Sequence, residues 1–384
     1  MANPLGSTMA PKANAPAAPP MALIPFLRGA TEHAEPFFDS TFTLSANQQN
    51  LGPVDVSSYG YMRAIILTVQ LVSTGNAAAV ALSEDAPWNL FAELALQDVN
   101  GAPLFGPHAG YEVYLHHKYG GFRGQFDPKL YPAGTFTTVT TGAGATAGSG
   151  IFTFRINVER NPRDGLGALA NMNASQAYKL RGTINNLATI FTVPPNGAVT
   201  ARVRMTLEAY SQPNATDPTG RPQATVPPAN MTTGFSSRFQ PPTNAGANTI
   251  KHTRVGNYIR SLIYIQRRGS TSRANGELDL AGLLLQWYVD SRLLTNYQIE
   301  FLRMRQAEAY QYVTGTFEAA GGPDNGVFIL PFMVEFDGQA GYELRDLWLP
   351  TTQATRLELL YNPLTAGNLT VMTVDVAPRG VVFV

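Results

Sequence analysis

One strand-like stretch occurs twice in this chain, and that repetition limits the folds open to it. Residues 60–70 read GYMRAIILTVQ and residues 257–266 read NYIRSLIYIQ. Tyr61 and Arg63 return as Tyr258 and Arg260 at one offset (258 − 61 = 197), and Gln70 returns as Gln266. Further blocks match in the same order. LALQDVNG (94–101) is answered by LLLQWYVDS (283–291), which pairs Gln97 with Gln286. GYEVYLHHKYGGF (110–122) is answered by NYQIEFLRMRQ (296–306), pairing Tyr111 with Tyr297. FRINVER (154–160) matches PFMVEFD (331–337), with Val158 and Glu159 opposite Val334 and Glu335. NGAVTARVRMTLEA (196–209) matches AGNLTVMTVDVA (366–377) at a smaller offset (367 − 197 = 170). Offsets that fall steadily mean the same elements in the same order, with shorter loops in the second copy. The chain reads as an internal duplication.

Each copy is rich in short apolar or alternating runs broken by Gly, Pro and Asn, the mark of many short strands. Strands are expected near 38–46, 61–73, 90–99, 135–141, 151–159, 178–185, 188–193 and 199–210 in the first copy. In the second they are expected near 232–239, 258–267, 281–289, 311–317, 327–335, 355–361, 369–376 and 380–384. A helix falls between the third and fourth strand of each, from the spacing of Tyr111, Tyr114, Leu115 and Tyr119 and of Leu294, Tyr297, Phe301 and Met304. Eight strands twice over give an all-β fold of two eight-stranded jelly rolls, each with a short inserted helix. In 61–69 both faces are largely apolar, so that strand is covered on each side, by the opposite sheet and by a sister domain, helix or subunit. The domain reading is a flexible N-terminal arm (1–37), a first jelly roll (38–210), a linker (211–230) and a second jelly roll (231–384). The stretches 140–150 and 160–177, rich in Gly, Asn and Ala, are expected as loops at one end of the sandwich.

Charged residues are only 14% of the 384, against about 25% in an average domain. Such a surface suits a chain that buries much of itself against neighbours. Lys plus Arg and Asp plus Glu are both 27, so there is no basic footprint for nucleic acid. The short QRRGSTSR at 266–273 reads as a solvated strand end and loop. There is no Cys, no run of about 20 apolar residues to span a bilayer, and no signal-peptide layout in the Ala/Pro-rich start.

Catalytic patterns are missing. The five histidines, His33, His108, His116, His117 and His252, form no His-x-His metal pair of the kind a paired cupin needs. Neighbouring His116 and His117 point to different helix faces and read as packing or surface residues. Asp337, Glu343 and Asp346 read as solvated loop charges, and GAGATAG (142–148) lacks the spacing of a dinucleotide loop. Neither a metal nor a cofactor is expected, and no catalysis.

Two jelly rolls in one chain, each opening with Tyr-x-Arg-aliphatic and carrying a helix after Leu-Gln-aliphatic, resemble the compact double jelly-roll major capsid proteins. The closest likeness is to the tectivirus type, from tailless icosahedral phages with an internal membrane, and it covers about 38–384. The resemblance implies a homotrimer whose six jelly rolls form a pseudo-hexagonal capsomer of the virion shell. Its partners would be other copies, neighbouring capsomers, the viral membrane and minor capsid or vertex proteins, with no direct contact to nucleic acid. It places the N-terminal arm on the inner face, where Met21, Leu23, Ile24, Phe26, Leu27 and Arg28 would make the contact. Two rival readings share the all-β pattern: a virion spike or adhesin, and a secreted two-sandwich glycan-acting or carbohydrate-binding protein. The spike does not explain two complete copies with helices, and the secreted protein predicts a leader and disulfides.

Overall fold

The duplicated stretch becomes the same central strand in each half of the molecule. A computed structural model describes residues 22–24, 26–74, 80–121, 146–225, 233–268, 272–280, 282–310, 325–336, 340–341, 343–344 and 347–378. The first half holds β1 (Glu32–Thr43), β2 (the short pieces Gln49–Asn50 and Val54–Asp55), β3 (Tyr61–Thr74) and β4 (Phe91–Gln97). It continues with β5 (Pro103–His108), helix α1 (Gly110–Tyr119), β6 (Thr146–Asn157), β7 (Lys179–Ile184) and β8 (Val199–Tyr210). The second half holds β9 (Gly234–Phe239), β10 (Asn248–Lys251), β11 (Tyr258–Arg268) and β12 (Leu284–Val289). After these come β13 (Arg292–Gln298), helix α2 (Ile299–Tyr310), β14 (Val327–Pro331), β15 (Leu357–Tyr361) and β16 (Gly367–Val376).

Pairing sorts these strands into two sheets per half. In the first half the orders are β1-β8-β3-β6 and β2-β7-β4-β5. In the second they are β9-β16-β11-β14 and β10-β15-β12-β13, the same orders eight strands on. Each half is therefore a jelly roll. The halves also match in register. Tyr61 lies opposite Tyr210 and Tyr258 opposite Val376, which makes Tyr210 and Val376 equivalent (376 − 210 = 166). The sequence match had set the last strand four residues out of this register.

The rolls stand side by side and share a sheet. Ser236 of β9 bridges Phe105 of β5 in parallel, so the second roll's β9 sheet continues into the first roll's β5 sheet. Strand β11 shows what this does to burial. Leu262 and Tyr264 enter the second roll's own core, while Ile263 and Ile265 on the other face join the first roll's core. Val327, Ile329, Met372 and Val374 of the flanking strands join them there. In β3 the corresponding outer residues Ile66, Thr68, Gln70 and Val72 are only half-buried. The two-sided covering expected of this strand is complete in the second copy, where the sister roll and α1 supply it.

Several expected elements fall elsewhere. The run 188–193 is a short helix, Leu187–Ile190, followed by Phe191–Val193, not a sheet strand of the roll. The second and fifth strands of each roll, β2, β5, β10 and β13, occupy stretches that do not read as strands. Helix α1 consequently follows the fifth strand rather than the third, and so does α2. Leu294 and Tyr297 lie on β13, and α2 starts only at Ile299. The strands expected at 135–141, 311–317 and 380–384 lie outside the described residues. The first strand starts at Glu32, earlier than the expected 38. Residues 146–150 are not loop but the start of β6, paired from Thr146. The excursion 160–177 follows the other end of that strand, about 40 Å away for twelve residues at roughly 3.3 Å each. It folds back to pair Leu169 and Ala170 with Met62 and Tyr61.

Candidate functional site

Among the described residues, no three His, Asp or Glu side chains converge on a point that could hold a metal, and no helix is long and apolar enough to cross a membrane. Four of the histidines, His108, His116, His117 and His252, are buried, and His33 is exposed. His252 Nδ1 lies 3.1 Å from the Leu357 carbonyl and its Nε2 2.7 Å from the Tyr264 hydroxyl, which also accepts from Trp287 Nε1 at 2.7 Å. Nδ1 must donate to the carbonyl, so Nε2 accepts and the ring is neutral. Burial pushes its pKa down to about 4. His116 is fully buried with its ring edge-on to Phe105, and desolvation together with Arg160 and other nearby cations holds it well below the usual histidine value.

What the structure does build is a junction between surfaces. Helix α1 is buried along its whole length, although its sequence includes Glu112, His116, His117 and Lys118. Glu112 shows how the polar groups are accommodated. Its carboxylate accepts from the Ala109 backbone N–H at 3.1 Å and from Arg238 of β9 at 3.1 and 3.2 Å. His108 lies 3.3 Å away and reaches Ser236 of β9 at 2.9 Å through its other nitrogen. At the helix C-terminus Arg260 donates to the Gly120 carbonyl at 3.0 Å, which sets a cation against the negative end of the helix. Gly121 must be glycine here: its φ is +75°, and a Cβ would sit 2.5 Å from the Phe336 ring.

A second clamp joins the loop before Trp88 to the second roll. Asp85 receives Arg267 and Arg273 at 2.6 Å each, and Arg273 also stacks over the Tyr111 ring at 4.3 Å. Arg273 is essentially unexposed and Gln266 wholly so, which corrects the expectation of a solvated loop at 266–273. The first roll covers Arg267 and Arg273 through Asp85 and Tyr111, and the second roll's own Tyr361 donates to Gln266 at 3.1 Å. Glu343 is corrected likewise: it is buried and holds Arg260 at 2.6 Å. Asp337 and Asp346 lie outside the described residues.

The duplicated arginines thus have different carboxylate partners. Arg63 donates to Glu159, just past β6, at 2.8 Å, whereas Arg260 takes Glu343 from a later loop. Glu335, which the sequence match set opposite Glu159, sits in a turn at φ +59° instead. Burial raises the Glu159 pKa against the opposing pull of Arg63 and Tyr210.

The N-terminal candidates separate. Met21 lies outside the described residues, and Leu23 belongs to a short strand, Ala22–Ile24, that pairs in parallel with Gln223–Thr225. Phe26 is only 4% exposed and meets Tyr61 and Tyr210 edge-on at 4.9 and 5.6 Å. Ile24 and Leu27 are half-buried and Arg28 is exposed. Phe26 is therefore docked on its own roll, and Leu27 packs against the same cluster.

Exposed apolar side chains gather on the second roll. Leu293 and Leu294 of β13 and Phe301 and Met304 of α2 are each at least 38% exposed. The corresponding elements of the first roll, β5 and α1, are buried in the junction. The sequence singled out Phe301 and Met304 only as helical spacing.

No family model and no curated protein matches this sequence. Solved structures do match in shape. The major capsid protein of Sulfolobus turreted icosahedral virus gives a TM-score of 0.58 at 14% identity, over 91% of this chain and 98% of that one. The capsid protein of PBCV-1 virus gives 0.59 at 10% identity, over 90% and 93% of the two chains. The Faustovirus major capsid protein gives 0.53 at 8% identity over 90% of each. The fold is the double jelly roll of viral major capsid proteins, carried over nearly the full length of each chain.

Proposed function

We propose that this chain is the major capsid protein of an icosahedral virus, built into the virion shell as homotrimeric, pseudo-hexagonal capsomers. The observation that carries the reading is the pairing of two jelly rolls of one topology in one rigidly clamped chain. Two similar rolls per chain let a threefold trimer fill a sixfold tile, which gives the duplication a purpose. The structural neighbours named above are capsid proteins, and the chain spans them almost end to end. The role is structural and needs no catalysis. A tailless, membrane-containing phage of the tectivirus type is the finer reading. In it, the segment around Leu23, Ile24, Leu27 and Arg28 faces the shell interior, towards the membrane, neighbouring capsomers or minor proteins.

Light scattering of purified protein at micromolar concentration should give three chains, and negative-stain images should show hexagonal outlines. A monomer that survives concentration would sink the reading. In the same assembly assay, changing Leu27 and Arg28 to Ser should lower particle yield with trimers intact; unchanged yield would remove the inner-face role.

A further inference from the structure

The duplication leaves the second roll with a carboxylate that its ion pair no longer uses. In the first roll the Val-Glu step after β6 gives Glu159 to Arg63 at 2.8 Å. In the second roll Glu343 takes Arg260 at 2.6 Å, and the matching Glu335 is exposed, with no ion-pair partner among the described residues. Its backbone is nevertheless held from both sides. The Val334 carbonyl accepts the Leu344 N–H at 3.0 Å, and Phe336 is buried with its ring 5.1 Å from that of Tyr310. Between these anchors Glu335 keeps φ at +59°, a conformation that few residues other than glycine and asparagine adopt. Such a residue persists only where its surroundings over-determine it, and ligand sites are where this is common.

Glu335 lines a cavity of about 370 Å³ between helix α2, the end of β14 and the segment that follows it. That volume lies in the range of small-molecule sites. Leu302, Leu330 and Met333 give it an apolar wall, beside the rings of Tyr297 and Phe336. The polar lining is rich in acceptors. Glu308 and Glu335 bring two exposed carboxylates, neither of them in an ion pair among the described residues. Gln306 is only 3% exposed, and its Nε2 donates to the Ile329 carbonyl at 3.1 Å. That bond fixes the orientation of the amide and leaves Oε1 without a partner. Arg305 is the one charged donor in the lining, and it reaches the Tyr297 hydroxyl at 3.5 Å. Two carboxylates against one guanidinium make the cavity net negative.

We infer that this cavity binds a small organic ammonium ion with an apolar body. An ammonium group brings several N–H donors and no acceptor to a lining that is short of donors. Its charge meets Glu308 and Glu335, one of its donors serves the Gln306 oxygen, and the aromatic rings add cation–π attraction. The apolar body covers Leu302, Leu330 and Met333 and takes their surface out of water. An anion of the same shape meets two carboxylates and is repelled. A bare divalent cation fits poorly, because among the described residues no third carboxylate or imidazole joins these two. The site also bears on the junction between the rolls. Phe336 lies so close to the end of α1 that a Cβ on Gly121 would come within 2.5 Å of its ring. A ligand seated against Phe336 therefore favours the closed junction by mass action. None of this depends on the capsomer reading.

The test uses hexylammonium, hexanol and hexanoate, which share one tail and differ at the head. Each is titrated into the full-length protein carrying isotope-labelled methionine methyl groups, with the Met333 signal assigned through Met333→Leu. Hexylammonium should move the Met333 signal and bind more tightly than hexanol, and hexanoate should not bind. Glu335→Gln should weaken hexylammonium roughly fivefold and leave hexanol as it was. The side chain is exposed, so the fold should survive the change. Glu93→Gln, at an exposed carboxylate of the first roll, should alter neither affinity. Equal binding of the three probes, or equal binding of hexylammonium to wild type and Glu335→Gln, would overturn the inference, because the head group would then go unread. A Met333 signal that stays put at millimolar hexylammonium would overturn it too. Either failure leaves the capsomer reading untouched, since that reading is tested by the number of chains per particle.

Discussion

Tyr264 ties together three buried polar groups of the second roll, and the protonation state of one of them is fixed by the others. Its hydroxyl accepts from Trp287 and donates to His252. Tyr264→Phe would leave the Trp287 N–H and the His252 Nε2 without their partner in a dry core, at a cost of about 1–3 kcal/mol. Acid acts on the same network. An unfolded histidine titrates near 6.5, whereas burial brings folded His252 down to about 4. Below about pH 6.5 the unfolded chain takes up a proton that the folded one refuses. Stability is therefore full above that pH and declines towards pH 4, by on the order of 3 kcal/mol. His116 is shifted the same way and steepens the loss. Denaturant midpoints at pH 7 and pH 4.5 should differ accordingly, and less so in His252→Gln. An equal pH dependence in that variant would show that His252 is not the titrating group.

At the level of elements, burial depends on which sheet face a neighbour covers. Arg267 and Arg273 converge on Asp85 across the junction, so Asp85→Ala leaves two cations without their shared carboxylate. A loss of about 3 kcal/mol follows, because breaking such a pair uncovers the desolvation of both arginines. Arg202 and Asp39 pair on the open face of the first roll, and removing Arg202 should leave the unfolding midpoint where it was. Equal effects of the two substitutions would mean that the junction opens to water.

The long strands β3, β8, β11 and β16 were legible because continuous aliphatic runs have few alternatives. The missed strands have physical reasons. β5 reads Pro-Leu-Phe-Gly-Pro-His, and two prolines and a glycine signal a loop; the strand forms because it pairs with β4 only irregularly and with β9 through the single Ser236–Phe105 bridge, a ladder that tolerates the missing donors. β2 is two residues, a break, then two more. β13 shares its helical spacing with α2, and only the pairing with β12 tells them apart. Of the site, the apolar run of the arm was visible, but not that Phe26 inserts between Tyr61 and Tyr210. The junction itself was illegible: Asp85 and Arg273 are 188 residues apart, and nothing near either one announces the other.

For the whole molecule, the shared sheet and the two clamps predict one cooperative melt rather than two. The second roll alone would expose Ile263, Ile265, Val327, Ile329, Met372 and Val374, a face that the first roll now keeps dry. Calorimetry should show a single transition, with calorimetric and van't Hoff enthalpies in agreement. Two separated transitions would mean that the rolls are stable independently. The strand order also has a consequence for the growing polypeptide. In each roll the strand made last lies between the one made first and the one made third, so β1 has no neighbour until β8 exists. Glu32 finds Tyr210 only after 178 further residues (210 − 32) have been added. At roughly 5–20 residues per second this is a wait of about ten to thirty seconds. The apolar inner faces of β3 and β6 are made during that interval and stand uncovered at the ribosome, and the second roll repeats the exposure before its own last strand arrives. High yield in a host cell thus depends on something that shields nascent strands, and slower translation should lower the soluble fraction without altering the finished protein.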